Sequence, residues 1–225
     1  MPERSNLRPQ PDDRLAFFQG FIKRPKEVGS IIPSSRFLER RIIRSAEVSR
    51  AKLVVELGPG TGGTTRALLC AMRPEARLLA IEINPRFATL LGQSGDPRLT
   101  VHQGSATEIT QALRHHELGT PDVILSGIPF STMTRHVGRQ ILRSVHDSLA
   151  SGGIFIAYQV RDRVKNLGHE VFGHAHVQTE ILNVPPMRIY RWEKGSPATT
   201  QSRQRTRLGR AIRRLTRNAP PAYRA

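Results

Sequence analysis

Cysteine is almost absent from this 225-residue chain, with Cys70 the single example. A disulfide framework and a cysteine-built zinc cluster are both excluded, and a reducing cytosol is the natural compartment. No apolar run approaches the roughly 18 residues that a bilayer span requires. The N-terminus is mixed in charge and rich in proline, without an apolar stretch of signal-peptide length. Any contact with a membrane is therefore expected to be peripheral. Internal repeats are lacking too. Acidic residues are few: 18 stand against 35 Lys and Arg, for a formal net charge of +17. Residues 196–225 contain no acid at all and eight arginines. This balance suits a polyanionic surface, either nucleic acid or anionic lipid head groups, and does not choose between them.

What is present reads as three parts. Residues 1–50 form an N-terminal helical segment, 51–195 an α/β core, and 196–225 a basic tail. In the first part, Leu15, Phe17, Phe18, Phe21 and Ile22 mark a short apolar-aromatic helix. A turn with Gly29 and Pro33 follows. Ser34 or Ser35 then offers an N-cap for a second helix bearing Phe37, Leu38, Ile42 and Ile43. From Leu53 the pattern alternates: strands at 53–57, 77–83, 99–102, 123–125 and 154–160, with helices at 64–72, 85–91 and 137–149. Alternation of this kind predicts a mostly parallel sheet with helices on both faces. The ending differs, since strands at 176–183 and 187–192 are joined by Val184-Pro185-Pro186, too short a link for a parallel crossover. A C-terminal antiparallel hairpin is expected.

The strongest motif is Glu56-Leu57-Gly58-Pro59-Gly60-Thr61-Gly62-Gly63, a glycine turn from strand to helix. Its glycines let a ligand lie against bare backbone, and the following helix offers free N–H groups. Gly58, Gly60 and Gly63 also satisfy the dinucleotide pattern, a weak signal by itself. Glu56 tilts the choice. A carboxylate at the end of a buried strand needs a partner, and beside a pyrophosphate it would repel. The E-x-G-x-G-x-G pattern resembles motif I of class I S-adenosylmethionine-dependent methyltransferases, whose Rossmann-like sheets end in an antiparallel hairpin. The resemblance implies S-adenosyl-L-methionine as cofactor, with Glu56, Gly58, Gly60, Thr61 and Gly62 around its methionine part. Glu82 and Ile83, at the end of the second strand, fall at the ribose. Ser105 and Ala106, after the third strand, fall at the adenine, where the family commonly carries aspartate then alanine.

After the fourth strand comes Ser126-Gly127-Ile128-Pro129-Phe130. In amino-directed methyltransferases this loop borders the transferable methyl, so Gly127, Ile128, Pro129 and Phe130 are expected at the acceptor and Ser126 beside the cofactor. Enzymes acting on adenine N6 typically carry Asn or Asp where this chain has Gly127. Tyr158, near the end of the fifth strand, is a further candidate, able to face a developing ammonium with its ring. Two more segments are informative: Pro25-x-x-Val28-Gly29-Ser30-x-x-Pro33-Ser34-Ser35, after the aromatic helix, and the Asn183-Val184-Pro185-Pro186 turn. Together with motif I and the Ser126–Phe130 loop they resemble bacterial phospholipid N-methyltransferases over roughly residues 15–193. That resemblance implies methylation of a phospholipid head-group amine, phosphatidylethanolamine towards phosphatidylcholine, by a cytoplasmic protein held peripherally on an anionic membrane surface. The alternative acceptor is nucleic acid, as in the related rRNA adenine N6-methyltransferases. Arg188 and Tyr190 are expected near a lipid phosphate. Leu208, Ile212 and Leu215, set among arginines, suggest a basic amphipathic helix. His169, His174 and His176 form a small histidine group with no cysteine close in sequence, and no metal is expected.

Overall fold

The computed structural model describes residues 35–195. The expected helix over 15–22 and the basic helix of the tail lie outside the described residues. In chain order the elements are α1 (Arg36–Ser45), β1 (Leu53–Leu57), α2 (Gly63–Ala71), β2 (Arg77–Glu82), α3 (Pro85–Gly92), β3 (Leu99–Gln103) and α4 (Ile109–His115). They continue as β4 (Val123–Ser126), α5 (Arg135–Ser148), β5 (Ile154–Gln159), α6 (Arg163–Phe172), β6 (His176–Glu180) and β7 (Met187–Glu193). The seven strands form one sheet in the order β3-β2-β1-β4-β5-β7-β6. β1 to β5 pair in parallel, and β7 runs antiparallel to both β5 and β6. This is the Rossmann-like class I methyltransferase sheet with its terminal hairpin.

Two packed layers account for the near-continuous apolar strands. β1 is buried along its whole length, and so is β4, as expected for parallel strands covered on both faces. Alternation along β1 sends Leu53, Val55 and Leu57 into one layer, with Ile109, Ile141, Leu142 and Leu167 of the helices on that side. Val54 enters the other, with Leu38 and Ile42 of α1 and Leu68 of α2. Glu56 shares the face of Val54 and so looks toward α1 and α2. Helix starts follow the expected chemistry. The Ser35 hydroxyl accepts from the Leu38 N–H at 3.2 Å, and Asn84 caps α3 ahead of Pro85.

Three features depart from the expected pattern. α4 and α6 had no counterpart in the sequence reading: α4 is only seven residues long, and α6 has Gly168 in its middle. That glycine is required by packing, since a Cβ there would lie 2.3 Å from the Trp192 ring. The third departure is β6, which stops at Glu180 rather than continuing to residue 183. Ile181 and Leu182, which made the strand look longer, are exposed. Gly168→Ala should lower unfolding free energy by about 1–3 kcal/mol through overpacking against Trp192. Urea denaturation measures this, and unchanged stability would mean that the α6–β7 contact yields freely.

Candidate active site

The parallel registers bring the carboxyl ends of four strands to one edge. Leu57 lies opposite Ile81 and Ser126, and Ser126 opposite Ala157. Ligands of open α/β sheets gather there. Glu56 is fully buried. One of its oxygens, Oε2, accepts a 2.7 Å hydrogen bond from the Thr65 hydroxyl on α2, while Oε1 has no partner among the described residues. Burial pushes its pKa up to about 7, against the Thr65 hydrogen bond and with a smaller upward push from the Glu82 charge. Glu82, 2% exposed, accepts from the Gly60 N–H at 2.9 Å and the Asn84 N–H at 2.8 Å. Its pKa is raised as well, because burial outweighs the backbone hydrogen bonds from Asn84, Gly60 and Ile83. Thr65 and Asn84 were missed from the sequence. The signal was there, since a buried carboxylate demands donors and both lie within ten residues of theirs.

Between the two acids runs the glycine loop. Gly58 sits at φ +67°, and a Cβ on it would meet the Ile128 side chain at 2.9 Å, so the cofactor loop and the acceptor loop touch here. Gly60 sits at φ +58° with nothing among the described residues within 4 Å of where its Cβ would be. The backbone at Gly60 is thus open on one side and tied to Glu82 on the other. Thr61 is exposed, and Gly62 precedes the free N–H groups at the start of α2. These residues fit S-adenosylmethionine. The free Glu56 oxygen suits its ammonium, and Glu82 keeps lone pairs for ribose hydroxyls. Ile83 contributes its main chain beside Glu82 and its side chain is half-buried. The Ser105 hydroxyl is engaged as a cap, accepting from the Thr107 N–H at 3.2 Å, and Ala106 behind it is buried.

Two side chains of the acceptor loop turn inward. Ser126, expected to touch the cofactor, is fully buried, and its hydroxyl accepts from the Ile128 N–H, bracing the turn from within. Phe130, expected at the acceptor, is also fully buried and belongs to the core with Met133 and Leu167. Gly127, Ile128 and Pro129 are half-buried, and the Gln159 side-chain amide donates to the Ile128 carbonyl. The space a side chain on Gly127 would fill is taken by Tyr158. A Cβ there would lie 2.6 Å from the tyrosine hydroxyl oxygen and 3.1 Å from Cζ. The Tyr158 hydroxyl is 3.3 Å from the Thr64 hydroxyl. Burial raises its pKa, helped by the negative charges of Glu56 and Glu39, so the phenol stays protonated at neutral pH. Glu39, on α1, also escaped the sequence reading. Its Oε1 lies 3.6 Å from the position of a Cβ on Gly63, and burial raises its pKa against the pull of Arg66. Arg188 and Tyr190 both hydrogen-bond Asp162; Tyr190 is fully buried, and Arg188 is exposed.

The fold and this edge define an S-adenosylmethionine-dependent N-methyltransferase of class I. The model for ribosomal RNA adenine dimethylase matches residues 23–147, and the chain belongs to that family. It is 31% identical over 181 residues to an ornithine lipid N-methyltransferase of Singulisphaera acidiphila, covering 79% of this chain and 94% of that protein. It is 37% identical over 99 residues to ribosomal RNA small subunit methyltransferase A of Phenylobacterium zucineum, where only 43% of this chain and 33% of that protein are covered. Among solved structures it is similar to the 1,6-didemethyltoxoflavin-N1-methyltransferase of Burkholderia thailandensis with bound S-adenosylhomocysteine, with a TM-score of 0.60 at 15% identity over 87% of this chain and 94% of that one. That likeness is one of fold. Among the described residues, no helix is long and apolar enough to cross a membrane.

The elevated pKa of Glu56 has opposite consequences for stability and binding. Its ordinary value is 4.5 and its folded value about 7, so the fold holds this proton more tightly than the unfolded chain does. The resulting penalty is absent below about pH 4.5, grows as pH rises and is complete above about 7. Glu56→Gln should therefore stabilise the ligand-free protein at pH 8 by about 2–3 kcal/mol, and by almost nothing at pH 4.5. The same variant should bind S-adenosylmethionine more weakly. Denaturation at both pH values and calorimetry check the two signs, and loss of stability at pH 8 would contradict the assignment.

Proposed function

We propose that the enzyme methylates the primary amine of a membrane amino lipid, phosphatidylethanolamine in the first instance, towards phosphatidylcholine. One observation carries this reading: the position where adenine enzymes carry an Asn or Asp is Gly127, and the space its side chain would need is filled by Tyr158. The exocyclic nitrogen of adenine has a delocalised lone pair and requires a side-chain acceptor to help localise it. An aliphatic amine does not. It has only to lose a proton and align with the methyl at about 3–3.5 Å.

S-adenosylmethionine supplies an electrophilic methyl on its sulfonium when bound. The chain's own contribution is arrangement. Glu56, Gly60 and Glu82 hold and orient the cofactor. Tyr158, kept neutral by burial, offers a ring and a hydroxyl to a cationic head group. Glu39 lies in the same corner, near Gly63 and Tyr158, and its carboxylate is the candidate to take the amine's proton. The ornithine lipid relative, matched over nearly its whole length, supports a lipid acceptor. It also makes the ornithine head group, another amino lipid, the second substrate to try. The reading of an rRNA adenine acceptor draws on the family match over 23–147 and on the basic charge. The chain spans about a third of the small-subunit rRNA methyltransferase from Phenylobacterium zucineum, which weakens that inference.

Incubation of the purified protein with methyl-labelled S-adenosylmethionine, phosphatidylethanolamine or ornithine lipid in mixed micelles, and small-subunit rRNA, tests the proposal. Label should enter lipid and not RNA, and Gly127→Asn, which displaces Tyr158, should lose lipid methylation. Labelled rRNA with both lipids unlabelled would overturn it.

A further inference from the structure

The turn between β6 and β7 is built inside out. Polar side chains of a surface turn normally face water. Here Glu180 and Asn183 are buried at 2% and 3% exposure, while Ile181, Leu182 and Val184 are exposed at 73%, 58% and 81%. The arrangement is held firmly. The Glu180 carboxylate accepts from the Leu182 N–H at 3.0 Å and pairs with the Arg41 guanidinium at 2.7 Å. Asn183 accepts from the Ser35 N–H at 3.0 Å and donates to the Pro185 carbonyl at 2.9 Å. The buried polar residues thus fix the backbone, and the fixed backbone presents three aliphatic side chains to solvent. Single exposed hydrophobes are ordinary, but three on one braced turn are not explained by packing among the described residues.

The position of the turn matters as much as its composition. Tyr158 pairs with Ile189 and Gln159 with Arg188, so the start of β7 lies beside the carboxyl end of β5. The turn therefore projects from the same edge of the sheet as the acceptor loop. Through Ser35 it also adjoins the start of α1, where Phe37 is 52% exposed. Arg36, Arg40 and Arg44 are exposed along that helix, and the turn's single carboxylate is buried against Arg41.

From these observations we propose that the β6–β7 turn is a membrane-insertion element that docks the acceptor edge onto an anionic bilayer. The inference rests on the lipid-amine reading above. A few aliphatic side chains beside the arginine-bearing start of α1 match the boundary between head groups and acyl chains, where apolar tips sink and cations meet phosphates. They fall far short of the roughly 20–30 residues that a stable protein interface takes from each partner. Docked in this way, the enzyme holds its acceptor loop at head-group level, and the lipid amine reaches the methyl without the lipid leaving the membrane.

The test compares the full-length protein with the variant Ile181→Ser, Leu182→Ser, Val184→Ser. All three sites are exposed, so thermal stability should be preserved and is measured first. A second variant, Leu182→Trp, reports insertion by the blue shift of its emission over the wild-type signal. Vesicles of phosphatidylethanolamine and phosphatidylglycerol are the docking probe, and a short-chain, monomeric phosphatidylethanolamine is the undocked substrate. The triple variant should lose vesicle binding by about tenfold or more and lose turnover on vesicles in step. It should keep wild-type turnover on the monomeric lipid, and the emission of the introduced tryptophan should shift blue on vesicles. Unchanged vesicle binding by the triple variant, or no shift of the introduced tryptophan, overturns the insertion role. A wild-type protein that binds vesicles through this turn yet methylates neither form of the lipid would instead sink the substrate reading.

Discussion

Two carboxylates, Glu56 and Glu82, are buried at the ends of neighbouring parallel strands, and the site is organised around the cost of keeping them there. Each lies where water cannot solvate it, and each negative charge raises the cost of the other. The chain offsets part of this cost with its own donors. Gly60 and Asn84 give backbone N–H groups to Glu82, and Thr65 gives a hydroxyl to Glu56. One Glu56 oxygen is left over. The shape of the glycine loop follows from these bonds, because the Gly60 N–H can reach Glu82 only if the loop folds back across the end of β2. An oxygen without a partner among the described residues is where a cationic ligand would gain binding energy, and that is the role proposed for the methionine ammonium.

Acceptor choice depends on a different and more local exchange. The sheet, the glycine loop and the acidic strand ends are common equipment for methyl transfer from S-adenosylmethionine, and the fold alone does not name a substrate. The feature on which the proposed acceptor choice rests is the close approach of Tyr158 to Gly127. The side chain missing from the acceptor loop is replaced, in space, by a phenol from the neighbouring strand. On the proposed reading, an acceptor that must be polarised by a carbonyl-type oxygen would be exchanged for one that is already a good nucleophile once deprotonated. Contact between Gly58 and Ile128 links the two halves, so the position of the acceptor loop is set by the same turn that receives the cofactor.

Much of this was legible in the sequence. Strand and helix alternation, the antiparallel ending, the glycine loop and both acids followed from hydrophobic pattern and residue spacing, because parallel strands buried on both faces leave long apolar signatures. Other elements were not legible. α6 was hidden by Gly168, whose reason is Trp192, far along the chain on β7. β6 was read too long because Ile181 and Leu182 carry a strand's hydrophobicity without its burial. Spacing places Ser126 and Phe130 on the loop expected at the acceptor but does not show that both side chains turn inward. Tyr158 was visible as a candidate, but its relation to Gly127 is a contact between the end of β4 and β5 that spacing along the chain does not reveal. Glu39 reaches the site from a helix that the sequence assigned to a separate segment.

Proton accounting on cofactor binding examines the buried-carboxylate account most directly. Calorimetry of S-adenosylmethionine binding at pH 7, in buffers of different ionisation enthalpy, gives the protons exchanged. Comparison with Glu56→Gln cancels the ligand's own titration. A carboxyl with a pKa of about 7 in the free protein, driven to its ionised form by the ligand ammonium, predicts that the wild type releases about half a proton more than the variant at pH 7. It also predicts that the difference disappears at pH 9. Identical proton exchange by the two proteins at both pH values would contradict it, since Glu56 would then not be the group that receives the cofactor's charge.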